Sequence, residues 1–468
     1  TDDALAASVG AAGTRRAATF TWAACTAAHL AAYHAALGLP THPPPPAPPA
    51  PPPAAGSPAP PASPGGPAAP APGGGGAGGP SFTRLRMRLL LDVSAVPARP
   101  AGAGVYTCRL AAALDRLGEC DLHLLARRGD ADRWQGLAPH ATVHAVVPPP
   151  RPARLAWEQV RAPALADRLA VDVWHGPHYT VPLRLKVPAV TTIHDLTFFD
   201  HPEWHERSKV LFFRRMIPRS VERAAAIVAV STATARAVEE LLEPSSPVLT
   251  IAHGVDHARF RPTADGDDNG DGDDLALLDP VGVRPPYIAF VGTIEPRKAV
   301  PTLVESFARI AGDHPDLRLV LAGMDGWGTE EARAAVAASG VSTRIVRVRW
   351  VPDEALPALF RQAAAVAYPS HEEGFGLPAL EALACGAPLV TSAESPMAEI
   401  AGPAALLVPP GNAGALAWAL NRVLTDAELA GRLREEGPKS AAPYTWEASA
   451  RLHLEAYRLA LKVAEERR

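Results

Sequence analysis

The chain has 468 residues, 47% of them hydrophobic, enough for two or three domains with sizeable cores. Its formal net charge of −4 argues against a general nucleic-acid binder, which needs a basic surface. Cys25, Cys108, Cys120 and Cys385 are scattered, with no CxxC pair or Cys/His cluster, so neither a disulfide framework nor a zinc site is indicated and a reducing cytoplasm is the expected compartment.

No run approaches about 18 apolar residues, so no membrane-spanning helix is expected. The first residues carry no signal-peptide pattern, and the chain opens on Thr1, so it is read as a fragment or processed product. Residues 20–37, FTWAACTAAHLAAYHAAL, repeat in register the Thr, Trp, Ala, His, Leu, Tyr pattern of residues 444–461, YTWEASARLHLEAYRLAL. Residues 1–37 are therefore expected to be a helical remnant, the tail of an earlier copy of the same protein. Residues 38–84 are the linker, nearly all Pro, Ala, Gly and Ser between 41 and 80. Its proline half favours extended conformations and its glycine half is flexible, so a disordered connection is expected.

From residue 85 to 255 short β-branched runs alternate with helical stretches: MRLLLDVSAV, CDLHLLAR, ATVHAVV, VDVWHG, AVTTIHD, AAIVAVS, PVLTIAHG. A second series fills 256–444: YIAFVGT, LRLVLAG, RIVRVRWV, AAVAYPS, APLVTS, AALLVPP. Such alternation predicts two Rossmann-like, doubly wound α/β domains with parallel sheets. The hydrophilic segment 256–285 between them contains D-x-D-x-N-G at Asp265, Asp267, Asn269 and Gly270, like the opening of a calcium loop. The twelfth position is Ala276, where a bidentate Glu is needed, so a solvated linker is expected instead.

Four stretches carry candidate chemistry. In PSHEEGFGLPALEALACGAP, Glu373 and Glu381 bracket a glycine-rich loop that follows a strand and opens a helix after Pro378. Ligands of open α/β sheets bind outside the carboxyl ends of strands, and the free N–H groups of a helix start suit phosphate or sugar oxygens. In FVGTIEPRKAVPTLVESF the adjacent Arg297 and Lys298 lie between strand and helix. In RPAGAGVYTCRL, Gly102 and Gly104 lie between the first strand and the first helix. In AVTTIHDLTFF, His194 ends a strand, and His175 in DVWHGPHYTVPL is similarly placed. Each has a plain structural alternative: a ligand-free turn, a solvated basic pair, a packed histidine.

Taken together and in this order, these motifs resemble the GT-B glycosyltransferases of the large retaining family 4, over residues 86–468. The resemblance implies two domains facing a cleft, with the first on the acceptor side and the second holding a nucleotide sugar. It implies a helix at 445–468, with Trp446 and Tyr457, crossing back to the first domain. Glu373 and Glu381 match the family's E-x7-E motif, which implies that Glu373 grips the donor sugar and Glu381 the ribose. Gly374, Phe375, Gly376 and Leu377 would line the donor. Arg297 and Lys298 would hold the diphosphate, where negative charge builds as it departs. His194 would lie near the reacting sugar, Gly102 and Gly104 near the phosphates, and Val351, beside Trp350, at the nucleobase. No metal and no cofactor are implied beyond the donor, taken as GDP-mannose; the acceptor would be a glycan or lipid-linked molecule, with no nucleic-acid partner. A non-hydrolysing sugar-nucleotide epimerase of the same fold and a non-catalytic copy remain open. The basic and aromatic segment 205–226 is expected as a packed surface helix, with peripheral contact at the inner membrane face as the alternative.

Overall fold

A computed structural model describes residues 86–263 and 270–467. The expected remnant at 1–37, the linker at 38–84 and most of the D-x-D-x-N-G stretch lie outside the described residues.

Two parallel sheets form. The first comprises β1 (Arg88–Asp92), β2 (Asp121–Arg127), β3 (Thr142–Val147), β4 (Val173–Gly176), β5 (Ala189–Ile193), β6 (Ala226–Ala229) and β7 (Val248–Thr250), in the order β3-β2-β1-β4-β5-β6-β7. The second comprises β8 (Tyr287–Val291), β9 (Arg318–Ala322), β10 (Ile345–Val348), β11 (Ala365–Tyr368), β12 (Leu389–Ser392) and β13 (Ala405–Val408), in the order β10-β9-β8-β11-β12-β13. The expectation of two doubly wound parallel sheets is met. Strands covered on both faces need continuous apolar runs, and β4, β5, β6, β11 and β12 are buried along their whole length.

In each sheet the chain builds outward on one side of the first strand, then crosses to its other side. The crossings separate β1 from β4 and β8 from β11, so the crevices open beyond the carboxyl ends of those strands. Helix α1 (Ala103–Leu117) follows β1, α2 (Arg151–Val160) precedes β4, and α3 (Arg207–Arg223) precedes β6. The acidic segment is not solvated linker throughout. Its end forms α4 (Gly270–Leu278), and Asp274, with a side chain only 4% exposed, ion-pairs with Arg361. That buried carboxylate needs its partner, and the pairing ties the segment to the second domain.

Helix α5 (Val300–Ile310) follows β8 and α6 (Leu377–Ala384) follows β11. The last helix, α7 (Trp446–Glu466), packs on α1 and on β4, β5 and β6 of the first sheet. Thr445 caps it, its side chain accepting from the Ala448 N–H at 3.0 Å. A buried hydrogen-bond chain seals this contact. His453 Nδ1 donates to the Ser449 carbonyl at 2.7 Å, which leaves Nε2 to accept from the Tyr106 hydroxyl at 2.8 Å. Tyr106 then accepts from Thr192 (2.9 Å), Thr192 from His175 Nε2 (2.8 Å), and His175 Nδ1 from the Tyr457 hydroxyl (2.8 Å). The carbonyl at one end fixes the direction of every link, and both imidazoles are neutral.

Candidate functional site

The crevice of the second sheet lies between the loop after β8 and the loop after β11. The first loop carries Arg297 and Lys298 in a single 3-10 turn, Pro296–Lys298. The second carries Ser370 and Glu373. A main-chain hydrogen bond from His371 N–H to the Arg297 carbonyl, 2.8 Å, fastens the loops together. Arg297 Nη1 lies 2.8 Å from Glu373 Oε2, and Lys298 Nζ bonds Glu373 Oε1. Ser370 Oγ donates to the same Oε1 at 2.8 Å, and Arg297 Nε pairs with Glu295 at 2.6 Å. Arg297 and Lys298, adjacent in sequence, and Glu373, 76 and 75 residues further on, thus form one cluster.

Its electrostatics follow from burial and pairing. Burial pushes the Glu373 carboxyl up, but Lys298 and Arg297 outweigh it and hold the group down to about 2. Burial pushes Arg297 down, and Glu373, Glu295 and Asp195 raise it above the ordinary guanidinium value. Lys298 is lowered by burial and by the adjacent Arg297, against the pull of Glu373. Two buried cations with carboxylate counter-charges make a site where an incoming anion exchanges for a carboxylate.

Glu381 sits on α6, partly buried, and its side chain makes no hydrogen bond or ion pair among the described residues. Burial raises its carboxyl to about 7, against the attraction of Arg259 and Arg109. An unpaired carboxylate in a half-closed setting is free to accept hydroxyl hydrogens.

His194 directly follows β5, with its ring buried. Nε2 lies 2.8 Å from the Pro177 carbonyl, so Nε2 carries the proton and Nδ1 the lone pair. Burial lowers its basicity, so the ring is neutral, held by the edges of Tyr106 and Tyr179 with centroids 5.2 and 5.5 Å away. Its own carbonyl meets the second domain. A Cβ at Gly374 would lie 1.8 Å from that oxygen, and Thr234 Oγ1 lies 3.3 Å from it and 3.4 Å from the Gly374 carbonyl.

The loop 374–377 differs from expectation. Gly374 gives close approach to the His194 backbone rather than to a ligand. Gly376 has φ +97° and a Cβ there would meet the Met397 side chain at 2.3 Å. The Phe375 ring, expected to line the donor, is 5% exposed against His253 with centroids 4.6 Å apart, and Leu377 is buried in the core. Only main-chain groups of this loop remain for ligand contact. The buried side chains at this helix start explain the difference, and its first N–H groups have no partner within the helix.

Gly102 adopts a left-handed φ of +50° before α1, and a Cβ at Gly104 would touch Pro100 at 3.1 Å. From the same loop Arg99 lies over the half-exposed Trp350 ring at 5.4 Å, and Val351 packs against the core. His175 belongs to the closing network of α7. Glu295, Ser370, Thr234 and Arg99 were missed: Thr234 and Arg99 meet neighbours distant in sequence, and Glu295 lies two residues from Arg297 with no motif to mark it. Ser370, three residues before Glu373, offered the nearest signal.

Two family models match in sequence. Residues 100–259 match Glycosyltransferase Family 4, and residues 280–440 match Glycosyl transferases group 1. The chain is 29% identical over 292 residues to the O-antigen chain mannosyltransferase B of Escherichia coli, covering 61% of this chain and 74% of that protein. It is 36% identical over 225 residues to the D-inositol 3-phosphate glycosyltransferase of Kribbella flavida, covering 46% of this chain and about half, 51%, of that protein. Among solved structures, sucrose-phosphate synthase from Thermosynechococcus elongatus superimposes with a TM-score of 0.65 at 22% identity, covering 80% of this chain and 98% of that one. The two matched regions together span every strand of the two sheets but β1, and the chain belongs to the GT-B glycosyltransferases of family 4.

Proposed function

We propose that the chain transfers a hexose, mannose first, from a nucleoside diphosphate sugar to a hydroxyl of a glycan or lipid-linked acceptor. Transfer retains the anomeric configuration and uses neither metal nor cofactor. The observation that carries this reading is the meeting of Arg297, Lys298 and Glu373 at the crevice beyond β8 and β11.

In the step, the bond between the anomeric carbon and the diphosphate oxygen breaks. The acceptor oxygen bonds to the same face, and its proton passes to a phosphate oxygen. The departing diphosphate gains negative charge, and Arg297 and Lys298 stabilise it in a setting drier than water. The diphosphate takes the cations over from Glu373, which turns to the donor sugar's hydroxyls. Glu381 takes the ribose hydroxyls, a role supported by its side chain having no hydrogen-bond partner among the described residues. The main chain of Gly374–Leu377 and Val351 frame the donor, Gly102 and Gly104 flank the phosphates, and neutral His194 faces the reacting sugar.

Mannose as the sugar is supported by the name of the Escherichia coli relative, and GDP is proposed as its carrier. The site is placed in the cytoplasm, and its peripheral contact at the inner membrane face is supported by α3, which exposes Leu211 (75%) among Arg207, Arg214, Arg215 and Arg219. Among the described residues no helix is long and apolar enough to cross a membrane.

The test is a panel of UDP-, GDP- and dTDP-sugars, read by thermal shift and by release of nucleoside diphosphate. GDP-mannose is expected to give the largest shift and to turn over. An interconverted donor with no transfer would favour the epimerase. No turnover, with binding unchanged by Arg297→Ala and Glu373→Ala, would leave a non-catalytic copy.

A further inference from the structure

The first sheet has a crevice of its own, beyond the carboxyl ends of β1 and β4, where Asp92 ends one strand and Gly176 the other. A cavity of about 130 Å³ lies there, against the ~10–15 Å³ that one water needs, so it admits a ring-sized ligand. Helix α2 forms one wall. Arg151, Arg154 and Glu158 fall at i, i+3 and i+7, on one face of that helix, and all three line the cavity with Asp92.

The two carboxyls are the buried end. Glu158 is 5% exposed and Asp92 9%. Glu158 bonds the side chains of Gln159, at 3.1 Å, and Thr180, and Asp92 Oδ1 accepts from the Ser94 N–H at 3.0 Å. Burial, with the Asp92 charge beside it, raises the Glu158 carboxyl to about 7. Burial raises Asp92 too, against the hydrogen bonds from Ser94 and the attraction of Arg154. Carboxyls that keep a proton toward neutral pH can donate to a hydroxyl as well as accept from one. Arg154, half-buried, and Arg151, exposed, stand one and two turns nearer the start of α2. Among the described residues neither guanidinium makes a hydrogen bond or ion pair. Forked donors without a partner suit the oxygens of a phosphate.

The remaining wall is aromatic, with Phe212 and Phe213 from α3 and Tyr179 from the turn after β4. That turn is strained. Tyr179 holds φ +66°, and a Cβ at Gly176 would meet the Thr180 carbonyl at 2.1 Å. Such strain in a bulky residue persists where its surroundings impose it, and it gathers at ligand clamps. Tyr179 also lies against His194, ring centroids 5.5 Å apart, so the cavity is one side chain from the residue proposed to face the reacting sugar.

We propose that this cavity is the acceptor subsite and takes a hexose phosphate, with the ring's hydroxyls on Asp92 and Glu158 and the phosphate on Arg151 and Arg154. Its role as acceptor rests on the transferase reading. The hexose phosphate is either free or the head of a lipid, whose chain would leave past Phe212 toward the exposed Leu211 of α3.

Calorimetric titration of the full chain with glucose, galactose and mannose 1-phosphates, beside their methyl glycosides, reads the site. GDP is present at saturation so that the donor crevice is closed to them. At least one phosphate is expected to bind about tenfold or more tighter than its methyl glycoside. Arg154→Ala or Arg151→Ala is expected to remove that preference, and Glu158→Gln to weaken both ligands about tenfold. Arg151 is exposed, so its variant reads the site even where Glu158→Gln fails to fold. Binding of no hexose phosphate, or a preference for phosphate that survives both arginine changes, overturns the proposal. If GDP does not bind, the donor reading fails by itself. Hexose phosphate binding kept in the Arg297→Ala chain then still places the ligand in this cavity, and its loss there overturns the proposal. Vesicles carrying a polyprenyl diphosphate hexose separate the two sources. Binding about tenfold tighter than to the free phosphate marks a lipid-linked acceptor, equal binding marks a free one, and both support the site.

Discussion

Glu373 and Glu381 share a motif but stand in opposite electrostatic states. Glu373 is an ionised counter-charge to two cations, and Glu381 is an unpaired carboxyl raised to about 7. Glu373→Gln removes the competitor for Arg297 and Lys298. GDP is therefore expected to bind that variant at least as tightly as the unchanged chain, while transfer falls by about 100-fold or more. Calorimetry and a turnover assay read the two separately. For Glu381 the folded chain holds a proton that the unfolded chain has released between about pH 4.5 and 7, so its contribution to stability falls as pH rises through that window. Glu381→Gln is expected to raise Tm at pH 8 and to leave it unchanged at pH 5. A thermal melt at each pH checks this, and equal shifts at both would contradict it. Both glutamates were legible in the sequence as a spaced pair on a strand–loop–helix junction. The ion pairing was not, because it depends on a loop 75 residues upstream.

At the scale of elements, the loop between β11 and α6 is the hinge of the account. Its glycines were read as room for a ligand, and they are room for protein: the His194 carbonyl against Gly374 and the Met397 side chain against Gly376. Periodicity shows where a loop lies and cannot show which neighbour comes close to it. Gly374→Ala places a Cβ inside the contact distance of a backbone oxygen, which no rotamer change relieves. That variant is expected to lose several degrees of Tm and to part the two domains, seen as a larger radius of gyration in solution scattering. An unchanged radius and Tm would contradict the packing. The strands were legible because both sheet faces are covered and the runs are unbroken. Helix α4 was missed because its acidic residues read as solvated, and only the distant Arg361 makes Asp274 a buried partner.

Over the whole molecule, α7 joins the end of the chain to the core of the first domain through neutral histidines. Burial lowers His453 to about 4, so the unfolded chain takes up a proton from about pH 6.5 downward while the folded chain resists it. That stability is present above pH 6.5 and is lost as pH falls toward 4. His453→Gln, which keeps a polar side chain but does not titrate, is expected to flatten the acid side of the stability profile; an unchanged profile would place the acid sensitivity elsewhere. The donor site is the claim on which the functional reading depends, and its most direct test is calorimetric titration with GDP, with UDP and dTDP run beside it. GDP is expected to bind the unchanged chain and to lose about tenfold or more in affinity with either Arg297→Ala or Lys298→Ala, the scale of one charge-assisted contact. Equal affinity for all three chains, or binding of none of the three diphosphates, would contradict it.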